Sequence, residues 1–419
     1  MFTPPERGSR PAGRLVARTG DPTQTFRIIY FQSMQGIHSV RLILRETVLE
    51  NAWITFEDGM IAGFGQGTPP GGGKYVDGEG LFLAPGFIDT HVHGGNGADF
   101  LDGTAEAFLR VADYHLAHGT TALCPTLATA TYDHIKAVVE TWESAKGRAK
   151  GRLLPLHLEG PHLARTKAGA QNPELITPPT SENIEWVVEN AAAIAQMTVA
   201  PEIPNALELI EKGSEAGIVM SAGHTEAREQ EMKAGLERGI AKITHLFNAM
   251  SYAAKKGVFR EPGLAEYALV EDRVVCELIA DNFHVAPTLM KLAYRAKGAG
   301  RLTLISDALA GTGLPVGTTF LLGKLQCKVA EGVCMLADGS ALAGSATRSI
   351  DQVRILTQVV GAPLAEAVRM ATETPARLLG LEDRYGSIGE GKAADLVQFD
   401  AKFGVRRVWV GGEVAHSYV

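Results

Sequence analysis

The residues best equipped for chemistry are histidines and acids scattered over two hundred positions. His91 and His93 stand one residue apart in "PGFIDTHVHGG". Glu159 ends "HLE", His224 ends "SAGH", His245 lies in "THLFNAM" and Asp307 in "ISDALAG". Neutral imidazoles and a carboxylate suit zinc, iron or a similar divalent ion. A carboxylate can bridge two ions, and a bound ion brings the pKa of water to about 7. A nearby Asp can take a proton from that water and return it to a leaving amine. The set therefore implies metal-assisted hydrolysis of a C–N bond. Each member alone has a plainer reading. The His-x-His pair could sit in a turn, and His224 or His245 could be a hydrogen-bonded structural histidine. Glu159 could favour a helix start, and Asp307 could cap a helix or turn. What separates the readings is whether the fold gathers them.

The elements that must do so are legible as alternation. From residue 86, eight apolar runs appear: "GFIDTHV", "TTALCPT", "LLPLHLE", "MTVAPE", "GIVMSAGH", "KITHLF", "VVCELIAD" and "LTLISDA". Amphipathic stretches such as "TAEAFLRVADYHLAHG" and "PNALELIEKGSEAG" separate them, with apolar residues at i, i+3, i+4 and a closing Gly. Eight strands alternating with helices predict an α/β fold, a (β/α)8 TIM-like barrel; one strand fewer would leave an open sheet. Every candidate falls near the C-terminal end of a run, where such barrels place their chemistry. The spacing of two puts His91 and His93 on one strand face. His157, two before Glu159, faces the same way but deeper and reads as supporting or structural. His115, His118 and His134 fall on helical patterns and read as surface residues.

Short strands fill both ends of the chain: "SVRLILRETV", "NAWITFED" and "GMIAGFG" near the start, "AADLVQFDA" and "VRRVWVGGEVAHSYV" at the end. They predict a small β-sandwich domain from residues 38–84 plus 376–419, with His38 and His416 in it, around a barrel over 85–375. Residues 318–345 alternate like hairpins with Gly turns and predict a β insertion. Residues 1–37 are separate in character. The first 33 are rich in Pro, Gly and Arg, without periodicity or the apolar core of a secretory signal. They read as a disordered tail, or as residues upstream of a true start at Met34.

Composition narrows the function classes. The 419 residues are 45% hydrophobic and carry a net charge of −7. An acidic chain without a basic stripe does not predict a nucleic-acid or anionic-membrane partner. No apolar run approaches the roughly 18 residues of a membrane span. Four cysteines without a CxxC pair suggest reduced thiols and a cytoplasmic location.

From about Ser39 onward the chain resembles the amidohydrolase superfamily, and within it the N-acetylglucosamine-6-phosphate deacetylases. The superfamily's marks are "PGFIDTHVH" and "GSIGEGKAADLVQFD". The narrower ones are "HLEGPHLARTKAGAQNP", "SAGHT", "THLFNAM", "FREPGLAE", "IADNFHV", "ISDALAGTG", "LAGS" and "MATETPARLLGL", in the family's order. The resemblance implies that Glu159, His224 and His245 hold the metal common to all members. His91 and His93 match a pair that binds a second ion in some members. Asp307 would be the base that activates water and the acid that protonates the sugar nitrogen. Asn248 and the backbone of Ala249 would meet a phosphate, with Arg260 and His284 completing an anion clamp; an Arg fork suits phosphate oxygens. Ala170 and Gln171 would touch sugar hydroxyls. The same resemblance implies a homodimer, because the loop bearing Arg260 can act across an interface.

The resulting expectation is deacetylation of N-acetylglucosamine 6-phosphate, a small amino-sugar phosphate, with one or two zinc or iron ions per subunit. Two alternatives stand beside it. One is the same chemistry on N-acetylgalactosamine 6-phosphate or another acylated amine. The other is a non-catalytic assembly protein on this fold, which the retained Glu159, His224, His245 and Asp307 argue against. The tail has no counterpart in the family's usual chain.

Overall fold

The computed structural model describes residues 35–323 and 325–418; residues 1–34 of the expected tail lie outside them, while 35–37, expected in the tail, belong instead to the first strand of the terminal sheet, Gln35–Ile43. Eight parallel strands form the barrel: β1 (Phe87–Val92), β2 (Thr120–Leu127), β3 (Leu156–Glu159), β4 (Ile194–Val199), β5 (Val219–Ala222), β6 (Ile240–Ile243), β7 (Val275–Leu278) and β8 (Leu302–Leu304). Each pairs in parallel with its neighbour in sequence, from β1 on β2 through to β7 on β8. A two-residue strand, Arg152–Leu153, precedes β3 on the same edge of β2. These strands are buried on both faces, which is why they read as apolar runs instead of alternating ones.

The ring closes between β1 and the residues after β8. The Asp307 amide donates to the His91 carbonyl at 2.9 Å, and the His93 and Gly94 amides donate to the Ala308 carbonyl at 2.9 and 2.8 Å. At the other end the Ile88 amide donates to the Ala371 carbonyl at 2.9 Å. Closure at the mouth is thus made by the backbone of residues expected to do the chemistry.

Helices cover the outside. Ala105–Ala117 and Ala206–Glu215 match the two amphipathic stretches, the first capped by Thr104, whose hydroxyl accepts from the Ala107 amide. Among the described residues no helix is long and apolar enough to cross a membrane.

Both chain ends meet in one sheet of eight strands. Gln35–Ile43, Val48–Glu57, Met60–Gln66, Lys74–Asp77 and Phe82–Pro85 come from the start; Leu396–Phe399, Val405–Val410 and Glu413–Ser417 come from the end. The seam is antiparallel, with Leu396 opposite Pro85 and Phe399 opposite Phe82. The sheet buries Ile37, Leu42, Ile54, Ile61 and Leu83 against Leu396 and Trp409, so neither end has a core without the other. The insertion forms a four-stranded antiparallel sheet, Thr319–Leu322, Leu325–Val329, Val333–Leu336 and Leu342–Ser345.

A two-pronged ion pair helps tie the terminal sheet to the barrel. Arg152 Nε and Nη2 donate to Asp395 Oδ2 and Oδ1 at 2.6 and 2.9 Å, and Oδ1 also accepts from the Gly411 amide at 2.8 Å. Asp395 is 7% exposed and Arg152 30%, so solvent screens the pair only in part. Asp395→Asn keeps the shape and loses the charge. It should lower unfolding stability by about 1–3 kcal/mol. A guanidinium midpoint equal to that of the parent would show that the strands, not this pair, hold the two parts together.

Candidate metal centre at the barrel mouth

The six residues expected from the sequence meet at one end of the barrel. His91 lies within β1 and His93 just beyond it; Glu159 ends β3; His224, His245 and Asp307 lie two, two and three residues past β5, β6 and β8. They form two ligand clusters. Glu159, His224 and His245 make one, and His91, His93 and Asp307 make the other. In the first, the Nε2 atoms of His224 and His245 lie 3.0 Å apart, each 3.1 Å from Glu159 Oε1. In the second, the Nε2 atoms of His91 and His93 lie 3.2 Å apart, at 3.5 and 3.2 Å from Asp307 Oδ1. Glu159 faces both, with Oε1 3.5 Å from His91 Nε2 and Oε2 3.3 Å from His93 Nε2.

Local backbone brings this about at some cost. His224, His245 and Asp307 have φ of 47°, 30° and 48°, the left-handed region that residues with a Cβ avoid. Gly223 allows the close approach beneath His224. A Cβ there would meet Thr244 Cβ at 2.6 Å and Thr198 Cγ2 at 2.8 Å. Gln171 braces the carboxylate. Its Nε2 donates to Glu159 Oε2 at 2.6 Å while its Oε1 accepts from the Thr129 amide at 2.6 Å.

The donor set fits divalent ions on its own chemistry. His224 Nδ1 donates to the Lys167 carbonyl at 2.7 Å, since a carbonyl can only accept. With that proton committed on Nδ1, His224 Nε2 faces Glu159 Oε1 at 3.1 Å across a gap that only a second proton or a cation can bridge. Charge demands the same. Burial would discharge His93, but its bonds to Asp307 and Glu159 outweigh that and raise its pKa to about 9. His91 is driven up in the same way, by Glu277, Glu159 and Asp307 against burial. Burial would also neutralise Glu159, yet His91, His224 and His245 hold it well below the ordinary carboxylate range. Asp307 is lowered against burial by His91 and His93. Buried carboxylates and imidazoles in this ratio draw in positive charge, which divalent ions on these nitrogens would supply.

A cavity of about 190 Å³ opens on the two clusters. His93, Glu159, His224, His245 and Asp307 form its floor. Ala170, Gln171, Asn248, Ala249 and His284 line its sides, and Leu309, Leu322, Leu342 and Ala343 make an apolar wall, the last three from the insertion. His284 Nδ1 bonds Asp281 Oδ2 at 2.6 Å. Burial alone would discharge His284, but that bond and the charge of Asp281 raise its pKa.

The remaining residues fall at several depths around the cavity. Arg260 is not in this cavity; it is exposed on the hairpin Ala254–Lys256/Phe259–Glu261, beside Val258 and Phe259, which are 88% and 75% exposed. Gln171 lines the cavity, but its amide is engaged by Glu159 and Thr129. His115 is not a surface residue. It is fully buried, with Nε2 3.0 Å from the Gly94 carbonyl, and burial lowers its pKa to about 4. His157 lies a layer below, bonded to Thr126 and Thr198, as its spacing from Glu159 predicts. Lys242 and Glu277 went unnoticed. Both are fully buried beneath the clusters. Their signal was a charge inside each apolar run, "KITHLF" and "VVCELIAD".

A parallel barrel carrying histidine and carboxylate clusters on the C-terminal ends of its strands has the arrangement of a metal-dependent barrel enzyme. The model of the amidohydrolase family matches residues 82–415, and the chain belongs to that family. The N-acetylglucosamine-6-phosphate deacetylase of Lysinibacillus sphaericus is 33% identical over 369 residues, 86% of this chain and 94% of that one. The N-acetylgalactosamine-6-phosphate deacetylase of Escherichia coli O157:H7 is 31% identical over 379 residues, 90% of this chain and 97% of that one. The solved structure of N-acetylglucosamine-6-phosphate deacetylase from Pasteurella multocida superposes with a TM-score of 0.86 at 29% identity, covering 92% of this chain and all of that one.

Gly223→Ala should displace His224 and weaken Zn²⁺ binding about 10–100-fold with the barrel still folded. Equilibrium dialysis of the metal-free protein checks this; parental affinity would mean that the β5 end yields without moving the ligand.

Proposed function

We propose that this protein hydrolyses the acetamide of N-acetylglucosamine 6-phosphate, giving glucosamine 6-phosphate and acetate, in amino-sugar catabolism. The observation that carries the reading is the shared cavity: both ligand clusters and the Asp307 carboxylate open onto the same space. The relatives' names supply the acyl sugar phosphate; the floor of the cavity supplies chemistry suited to its amide.

Glu159, His224 and His245 would hold one divalent ion, and His91, His93 and Asp307 a second, with zinc and iron both compatible with these donors. The chemistry such an ion supplies is Lewis acidity toward a carbonyl oxygen and toward water. The remaining work belongs to side chains. Asp307, held ionised, accepts a proton from the attacking water as the new C–O bond forms. It then gives that proton to the sugar nitrogen as the C–N bond breaks, so amide and water become amine and acetate. Asn248, the Ala249 backbone and His284 face the phosphate, and the raised pKa of His284 favours its cationic form there. Ala170 and Gln171 face the sugar hydroxyls.

Arg260 fits this scheme through a second copy of the chain. Its hairpin offers an exposed apolar tip, Val258 and Phe259, and a cation outside its own cavity. A homodimer would bury the tip and bring the guanidinium to the partner's phosphate site.

Asp307→Asn should cut kcat by about 10²–10⁴-fold while the fold survives; turnover near the parent's would remove Asp307 from the mechanism. The parent should deacetylate N-acetylglucosamine 6-phosphate faster than its galacto epimer, and the unphosphorylated sugar least of all. Equal rates with and without phosphate would refute the anion site. Mixing Asp307→Asn with Arg260→Ala subunits should restore activity, because the mixed dimer regains one site with both groups intact. Failure of mixed dimers to gain activity would place Arg260 outside the partner's site.

A further inference from the structure

Beneath the two clusters lies an ion pair that the reaction does not use directly. Lys242 on β6 and Glu277 on β7 are both 0% exposed. Lys242 Nζ donates to Glu277 Oε1 and, at 2.8 Å, to Gln196 Oε1 on β4. The Gln196 amide in turn donates to the Thr90 carbonyl, next to His91. Glu277 Oε2 meets His91 Nδ1 at 3.0 Å and accepts from the His245 backbone amide at 3.2 Å. One carboxylate oxygen thus grips one residue of each ligand cluster.

Packing does not explain this pair. Desolvating an ammonium and a carboxylate costs several kcal/mol per ion, and apolar side chains of similar volume could fill the barrel without that cost. The donor and acceptor rules do explain it. An ammonium only donates and a carboxylate only accepts, so His91 must carry its proton on Nδ1. Its Nε2 is then the atom that faces Glu159, His93 and Asp307, and the one an ion would take once any second proton leaves. In each of the other three histidines the orienting partner is different or missing. His224 uses the Lys167 carbonyl, and the buried Nδ1 atoms of His93 and His245 have no partner.

We propose that Glu277 is the positioning residue of the metal centre: it sets the tautomer of His91 and ties that ring to the backbone of His245, while Lys242 and Gln196 set the orientation of the Glu277 carboxylate. The proposal rests on the reading of the clusters as metal sites. Its consequence is specific to the direction of hydrogen bonds. In Glu277→Gln the amide oxygen must serve Lys242, so the NH2 group faces His91 Nδ1 and the His245 amide. His91 then accepts at Nδ1 and carries its proton on Nε2, where it cannot ligate. In Lys242→Met/Glu277→Gln the demand on the oxygen is gone. The amide can turn, donating to Gln196 Oε1 and accepting from His91, and the liganding tautomer returns.

Equilibrium dialysis of the full metal-free chain against Zn²⁺ tests this. The parent should take up two ions. Glu277→Gln should bind the second about 10–100-fold more weakly, and the double variant should regain affinity. Long-range ¹⁵N spectra of the metal-free parent, with His91 assigned from a His91→Asn sample, should show Nδ1–H at that ring, which needs no Glu277 variant to fold. A His91 Nδ1 without a proton in the parent, or equal Zn²⁺ affinity in parent and Glu277→Gln, overturns the proposal. A parent that takes up no Zn²⁺ overturns the metal reading along with it. Deacetylase activity does not enter these measurements, so failure on the sugar phosphate leaves this result separate.

Discussion

The carboxylate of Glu159 is the constraint on which the mouth of this barrel turns. Four imidazole nitrogens approach it within 3.5 Å, from β1, β5 and β6, and all of these side chains are nearly buried. Such a group of acceptors and weak donors is tolerable only when positive charge enters it. The surroundings are arranged to keep it so. Gln171 fixes one oxygen from above, the left-handed backbone at His224 and His245 turns their rings inward, and Gly223 removes the Cβ that would push β5 away. Strain and unsatisfied lone pairs are local costs; the surrounding apolar core, which runs through nearly every strand and helix of the barrel, offsets them.

Stability and chemistry share atoms here. The bonds that close β1 onto the residues after β8 come from the backbones of His91, His93 and Asp307. Asp89 adds to the seam, accepting from the amides of Ser306 and His91. A barrel that opened at this seam would separate Asp307 from the pair it stands against. The closed ring is therefore a condition for the second cluster, whereas the first is spread over β3, β5 and β6 and does not span the seam. The insertion contributes to the cavity as well. Leu322, Leu342 and Ala343 supply apolar lining to the space that Asn248 and His284 also border.

How much of this was legible in the sequence depended on the range of the interaction. Periodicity identified the barrel strands and the two terminal β segments because burial on both faces leaves a local mark. His91, His93, Glu159, His224, His245 and Asp307 were legible because they end those runs. His115 was misread because a helical pattern does not say which histidine turns toward the Gly94 loop. Gln171 was singled out through the resemblance, and nothing local in the sequence reveals that its amide also bonds Glu159 and Thr129. Lys242 and Glu277 were passed over because a charge in an apolar run becomes meaningful only when its partner on the adjacent strand is known.

The sequence by itself determined the alternation that makes a closed parallel barrel, the residues gathered at its mouth and the family to which both belong. These follow from residue type and spacing, which chemistry and the strand period constrain directly. Tertiary structure alone decided that Glu159 stands between two clusters, that one buried carboxylate grips a residue of each, and that Arg260 lies outside the lining of its own cavity. Those outcomes depend on distances between residues far apart in the chain, set by barrel closure and by which hydrogen-bond donor reaches which acceptor.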